Sequence, residues 1–171
     1  GQYVSDMVSL IARLNVDDVD WLGTSMGGLI AIGLASMQGN PIRKLILNDV
    51  GMKLNQSALD RITKNLASVV PFPTFEDALI AIRERSFMFG AHTDEQWRKF
   101  AGDVLRQRQD GQWVFHYDPQ IALPFNGLTP EGSQQSATLL AASYDAITCP
   151  TLLIRGAESD LLSAEVAHEM T

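Results

Sequence analysis

Ser25 stands between Gly23 and Gly27 in the run Trp21-Leu22-Gly23-Thr24-Ser25-Met26-Gly27-Gly28-Leu29-Ile30-Ala31. Residues 16–22 lead in with partial alternation of apolar and polar side chains, and the apolar run Leu29 to Met37 leads out. That order predicts a strand, a sharp turn and a buried helix. A serine at the tip of such a turn is held in a strained backbone conformation, and small residues two positions to either side let strand and helix approach closely. The turn lifts the hydroxyl out of the sheet. It also aims the backbone N–H of the next residue, Met26, from the positive end of the helix towards the place where an oxyanion would form. The chemistry this pattern suits is attack by a serine on a carbonyl carbon. The competing use of a serine at such a place is to cap the helix.

The elements around this turn follow from spacing. Val4, Met7, Val8, Ile11 and Leu14 recur at helical intervals. The helix after Ser25 is predicted from about Met26 to Gln38, where Gly39-Asn40-Pro41 stops it. Ile42 to Asn48 reads as a short strand of the kind buried on both faces of a parallel sheet, ended by Asp49-Val50-Gly51. These residues, 1–51, form the first part of a core domain.

Residues 52–147 change character and read as a mostly helical insertion. Leu59, Ile62, Leu66, Val69 and Val70 share one helical face, as do Phe75, Ala78, Leu79, Ile82 and Phe89, with Pro71 and Pro73 breaking the chain between them. Thr93-x-x-Gln96 is a capping box that opens a third helix with Trp97, Phe100, Ala101, Val104 and Leu105 on its apolar face. Residues 112–117 read as a short strand or an extended segment, and Ser133 to Tyr144 is predicted helical again. Residues 148–171 return to the core: a buried strand within Cys149 to Gly156, the loop Ala157-Glu158-Ser159-Asp160, and a helix starting near Ser163.

Bulk properties narrow the choice of function. The 171 residues, nearly half of them apolar, suffice for one domain. A net charge of −7 disfavours nucleic acid and anionic membrane surfaces as partners and mainly speaks for solubility, with a homo-oligomer open. No apolar run reaches membrane-spanning length and no signal-peptide pattern opens the chain. Cys149 is the only cysteine; with no disulfide framework, a cytoplasmic location is expected, with Cys149 a small buried hydrophobe. Neither zinc-ligand spacing nor a phosphate-binding glycine loop occurs.

Three blocks together resemble the α/β-hydrolase superfamily, in particular its members with a helical cap: Gly23-Thr-Ser25-Met-Gly27-Gly28, Lys44-Leu-Ile-Leu-Asn-Asp49, and Pro150-Thr-Leu-Leu-Ile-Arg-Gly-Ala-Glu-Ser-Asp160. The resemblance spans essentially the whole chain. It implies a parallel sheet flanked by helices, Ser25 as nucleophile, the Met26 N–H in the oxyanion hole, Gly23 and Gly27 as elbow glycines, and Asp160 as the acid that orients a histidine. Asp49, also at a strand end, is the alternative acid, with Glu158 third; the plain reading of Asp160 is a helix cap. The resemblance implies no organic or metal cofactor.

The chain departs from the family pattern in two places. Only one helix precedes the elbow strand, and no strand follows Asp160 to carry the histidine. His92 and His116 fall in the insertion, and His168 lies on the helix after Asp160. No triad histidine is identified, and the resemblance implies a central segment of a longer enzyme, inactive by itself. The expected reaction of the whole is hydrolysis of a small, fairly hydrophobic ester or lactone. Carbon–carbon bond hydrolysis of a diketone-type substrate and ligand binding without catalysis on the same fold are the alternatives. The aromatic residues of the insertion (Phe72, Phe75, Phe87, Phe89, Trp97, Phe100, Trp113, Phe125) either hold it together or roof an apolar pocket, the former for most of them.

Overall fold

A computed structural model describes residues 1–67, 70–125 and 130–171. In chain order the elements are α1 (Gln2–Leu14), β1 (Val19–Thr24), α2 (Met26–Ala35), β2 (Ile42–Asn48), α3 (Gln56–Ala67), α4 (Phe75–Arg85), a 3-10 turn (Phe87–Phe89) and α5 (Asp94–Val104). They continue with β3 (Leu105–Gln107), β4 (Trp113–Phe115), a 3-10 segment (Pro119–Phe125), α6 (Pro130–Asp145), β5 (Thr151–Ile154) and α7 (Ala164–Glu169). Val69 and the side chain of Phe125 lie outside the described residues. Among the described residues no helix is long and apolar enough to cross a membrane.

Two compact units divide the chain: Gly1–Leu59 with Thr129–Thr171, and Asp60–Leu128. The first unit is built on a parallel sheet in the order β1-β2-β5. α2 is apolar all round, so it is buried between layers rather than laid on a surface. It meets β1 and β2 as well as α1 and α6. Ala31, Ile32, Leu34 and Ala35 of α2 close over Leu45 and Leu47 of β2, with Val50 and Leu162 completing this core. Cys149 packs at its margin, partly buried.

The sequence predicts β2 covered on both faces, whereas the structure covers one. Residues on opposite faces alternate along a strand. The row Leu22–Ile46–Leu152, in register across all three strands, turns away from the buried face, and Leu22 and Leu152 are 63% and 55% exposed. A hollow of about 410 Å³ on this open face is lined by Asp20, Leu22, Lys44, Ile46 and Leu152 among others, and Ser25, Asp49 and Asp160 take no part in it.

The sequence places α6 in the insertion by its position in the chain, whereas its Leu140 and Tyr144 pack on the core of the first unit. Tyr144 also donates from its hydroxyl to the carbonyl of Met170 at 2.7 Å. Tertiary packing, which no local pattern carries, gives this helix its affiliation.

The second unit has its own core. Ala78, Leu79 and Ile82 of α4 face Trp97 and Ala101 of α5, with Phe72, Phe75, Phe100, Trp113 and Phe115 around them. Phe75 meets Trp113 edge to face with ring centroids 5.1 Å apart. Most of the aromatic residues therefore serve the unit's own packing, while Phe87 and Phe89 are exposed. The capping box is present at α5: the Thr93 side chain accepts from the Gln96 N–H at 3.2 Å and Gln96 Oε1 accepts from the Thr93 N–H at 2.8 Å. Leu105, read as helical from its spacing, instead opens β3, because β4 offers it an antiparallel partner in Phe115.

Candidate active site

All three strands of the first sheet end at one level. Thr24, Asn48 and Ile154 are in register, and the next residues are Ser25, Asp49 and Arg155. The ladder runs one bond further on both sides: the Ser25 N–H donates to Asn48 O at 3.2 Å, and the Asp49 N–H donates to Ile154 O at 2.8 Å. Beyond that point both residues turn out of the sheet with positive φ, 50° at Ser25 and 55° at Asp49. The carboxyl ends of parallel strands are where ligands bind in open α/β sheets.

Ser25 has φ 50° and ψ −121°, a combination that serine adopts only at an energetic cost. Its carbonyl begins α2 by accepting from the N–H groups of Gly28 (2.9 Å) and Leu29 (3.2 Å). Its hydroxyl makes no capping bond to α2, so the capping use of this serine is not the one observed, and the side chain is exposed. Met26 is the first residue of α2, where a helix leaves the N–H without an intrahelical acceptor and where the dipole favours negative charge.

The two elbow glycines differ. A Cβ on Gly23 would stand 2.5 Å from Gly27 O and 2.6 Å from Gly28 N, so glycine is required there. A Cβ on Gly27 would meet nothing within 4 Å. The second close approach falls instead on Gly28, where a Cβ would stand 2.3 Å from Cγ1 of Val50. The Gly27-Gly28 doublet was the only signal of this in the sequence, and it does not say which glycine is pressed.

Asp160 lies on the loop after β5 and is exposed, and the cap of α7 is Ser163, which accepts from the Val166 N–H at 3.2 Å. Asp160 is thus not the helix cap. Asp49 has both carboxylate oxygens engaged: Oδ1 accepts from the Gly156 N–H and Oδ2 from the Ser159 hydroxyl, each at 2.9 Å. Arg155 ties the same loop from within, donating from Nε to Leu162 O and from a guanidinium N–H to Ala157 O. Ser159 and Arg155 fall within the block 150–160, but nothing in their spacing marks them for these contacts. Glu158 is exposed on this loop.

The histidines are dispersed. His168 is exposed on α7. His92 and His116 belong to the second unit; the former hydrogen-bonds Gly90 O through Nδ1 and packs on Trp97, and the latter is exposed.

A parallel sheet carrying a strained serine between strand and helix, with an acid on the loop two strands away, is the architecture of the α/β-hydrolases, and the chain has that fold. A 3-hydroxybutyrate-oligomer hydrolase of Cupriavidus necator is 53% identical over 99% of this chain and 59% of its own length. An esterase of Mycobacterium tuberculosis is 26% identical over 87% of this chain and 47% of its own length. The crystal structure of an α/β hydrolase from Novosphingobium aromaticivorans matches with a TM-score of 0.84 at 32% identity, covering 99% of this chain and 59% of that one. The chain thus spans about half the length of these relatives. No family model matches it.

Proposed function

We propose that the complete protein is a serine hydrolase of carboxylic esters and that Ser25 is its nucleophile. The observation that carries this reading is the backbone of Ser25, held at φ 50° between β1 and α2 with its hydroxyl exposed and uninvolved in capping. Strain of this kind persists only where the surroundings enforce it, and it gathers at functional sites. Ser25 Oγ attacks the carbonyl carbon of the ester while a histidine, supplied by a part of the complete protein outside this chain, takes the hydroxyl proton. The N–H of Met26 holds the oxyanion of the tetrahedral intermediate, which collapses as the alcohol leaves with that proton. Water, giving up a proton to the histidine, then attacks the acyl-enzyme; the Oγ–acyl bond breaks, the carboxylic acid leaves and Ser25 regains its proton. Asp160 orients the histidine and stabilises its cation.

The relative that is 53% identical acts on 3-hydroxybutyrate oligomers, and this supports a short linear hydroxyacyl ester as the substrate here. The test is labelling of the complete protein with a fluorophosphonate, followed by peptide mapping, alongside hydrolysis of 3-hydroxybutyrate dimers and trimers. A single adduct on Ser25, with both labelling and hydrolysis abolished in Ser25→Ala, is the expected result. An adduct elsewhere, or hydrolysis retained in Ser25→Ala, would overturn the assignment.

A further inference from the structure

Asp49 and the loop after β5 are separated by more than a hundred residues in the chain, yet they are joined at two points. The Gly156 N–H and the Ser159 hydroxyl each donate to one oxygen of the Asp49 carboxylate. Ser159 Oγ in turn accepts from the N–H groups of Leu161 at 3.3 Å and Leu162 at 3.2 Å. Asp160 sits inside this arrangement, with Ser159 on one side and Leu161 on the other. The far end of the loop is buried, Leu162 being wholly inaccessible, and the Arg155 Nε donates to its carbonyl at 2.8 Å.

The side of the clamp formed by Asp49 is itself rigid. Its N–H is the last rung of the β2–β5 ladder, its φ of 55° turns the chain out of the sheet, and the next residue, Val50, is buried in the core. A carboxylate accepting charge-assisted hydrogen bonds from two donors on one loop restrains that loop more than neutral bonds would. A triad acid must present an oxygen to an imidazole N–H. Asp49 accepts from the Gly156 N–H and the Ser159 hydroxyl of the loop, and Asp160 is carried on that loop.

We infer that Asp49 is a positioning residue: its carboxylate fastens the loop after β5 and thereby sets the place of Asp160. This rests on the proposed role of Asp160 as the acid. The experiment compares Asp49→Ala, Asp49→Asn, Ser159→Ala and Asp160→Ala in the complete protein. It measures kcat and KM, the pH profile of kcat/KM, and amide hydrogen exchange across residues 155–162.

In Asp49→Ala, kcat is expected to fall about 10- to 100-fold, the range for losing a supporting hydrogen-bond partner, with KM within about twofold. The acidic limb of the profile moves to lower pH, because a histidine with a displaced carboxylate loses stabilisation of its cation. Exchange at residues 155–162 quickens. Asp49→Asn keeps an acceptor for the Gly156 N–H and recovers part of the loss. Ser159→Ala shifts the same readouts in the same direction by less, and these two variants carry the test if Asp49→Ala does not fold. Unchanged exchange and kcat with Ser25-dependent hydrolysis intact would overturn the clamp alone. Full loss in Asp49→Ala with activity retained in Asp160→Ala would make Asp49 the acid itself. A wild-type protein without Ser25-dependent hydrolysis would instead sink the hydrolase reading on which the inference rests.

Discussion

A methyl group on Gly23 would stand 2.5 Å from the carbonyl oxygen of Gly27, so the last turn of β1 and the first turn of α2 touch backbone to backbone. This contact is what permits the reversal at Ser25. Gly23→Ala is therefore expected to destabilise the complete protein by about 3 kcal/mol or to prevent folding, the upper range for overpacking against backbone that cannot yield. Gly28→Ala is expected to be similarly damaging, since its Cβ would meet Val50 in the core at 2.3 Å. Gly27→Ala has open space and a helical position, so it is expected to be neutral or to stabilise by up to about 1 kcal/mol. Urea denaturation of the three variants checks the order, and equal costs at positions 27 and 28 would contradict it.

The strain at Ser25 carries its own prediction. A φ of 50° costs glycine nothing. Ser25→Gly is thus expected to raise stability by about 1 kcal/mol while abolishing fluorophosphonate labelling. Ser25→Ala, which keeps a Cβ, is expected to lose labelling without that gain. Thermal unfolding of the pair measures the difference, and equal melting temperatures would mean that the turn is relaxed.

Tyr144 links α6 to the end of α7 through its hydrogen bond to Met170 O. Tyr144→Phe should cost about 1 kcal/mol, the net value of one such bond with its acceptor left behind. Burial first, and repulsion from Asp145 second, hold the phenol's pKa above its ordinary 10.0. A raised folded-state pKa means that the stabilisation is fully present below the unfolded value and fades as pH rises through the folded one. The stability gap between wild type and Tyr144→Phe is accordingly constant from neutral pH to pH 9 or so and narrows above that. Chemical denaturation along this pH series reads it directly.

In the second unit, Thr93→Ala removes the acceptor for the Gln96 N–H at the start of α5. The expected loss is about 1 kcal/mol, confined to α4, α5 and their hairpin. Hydrogen exchange should quicken there and stay unchanged in the sheet of the first unit. An equal response in both would show that the two units unfold together.

Much of this protein was legible in the order of its residues because the relevant physics is local. The strand Ile42–Asn48 has the same ends in sequence and structure, since Asn40-Pro41 and Asp49 punctuate it. The turn at Ser25 and the cap at Thr93 depend on residues no more than four positions away. A glycine, a hydroxyl or an amide at such a distance acts through backbone geometry that the sequence determines by itself.

What the tertiary structure alone decided lies between segments distant in sequence. It pressed Gly28 rather than Gly27 against Val50, drew Leu105 out of its helix to pair with Phe115, and assigned α6 to the first unit. It also gave Asp49 a role that no motif announces, by bringing its carboxylate to Gly156 and Ser159. Parallel strands bring together residues that are remote along the chain, and hydrogen bonds at their ends depend on distances in space. The sequence ranks Asp160 ahead of Asp49 as the acid from their places after strands; that the Asp49 carboxylate reaches the loop carrying Asp160 is visible only in the packed sheet.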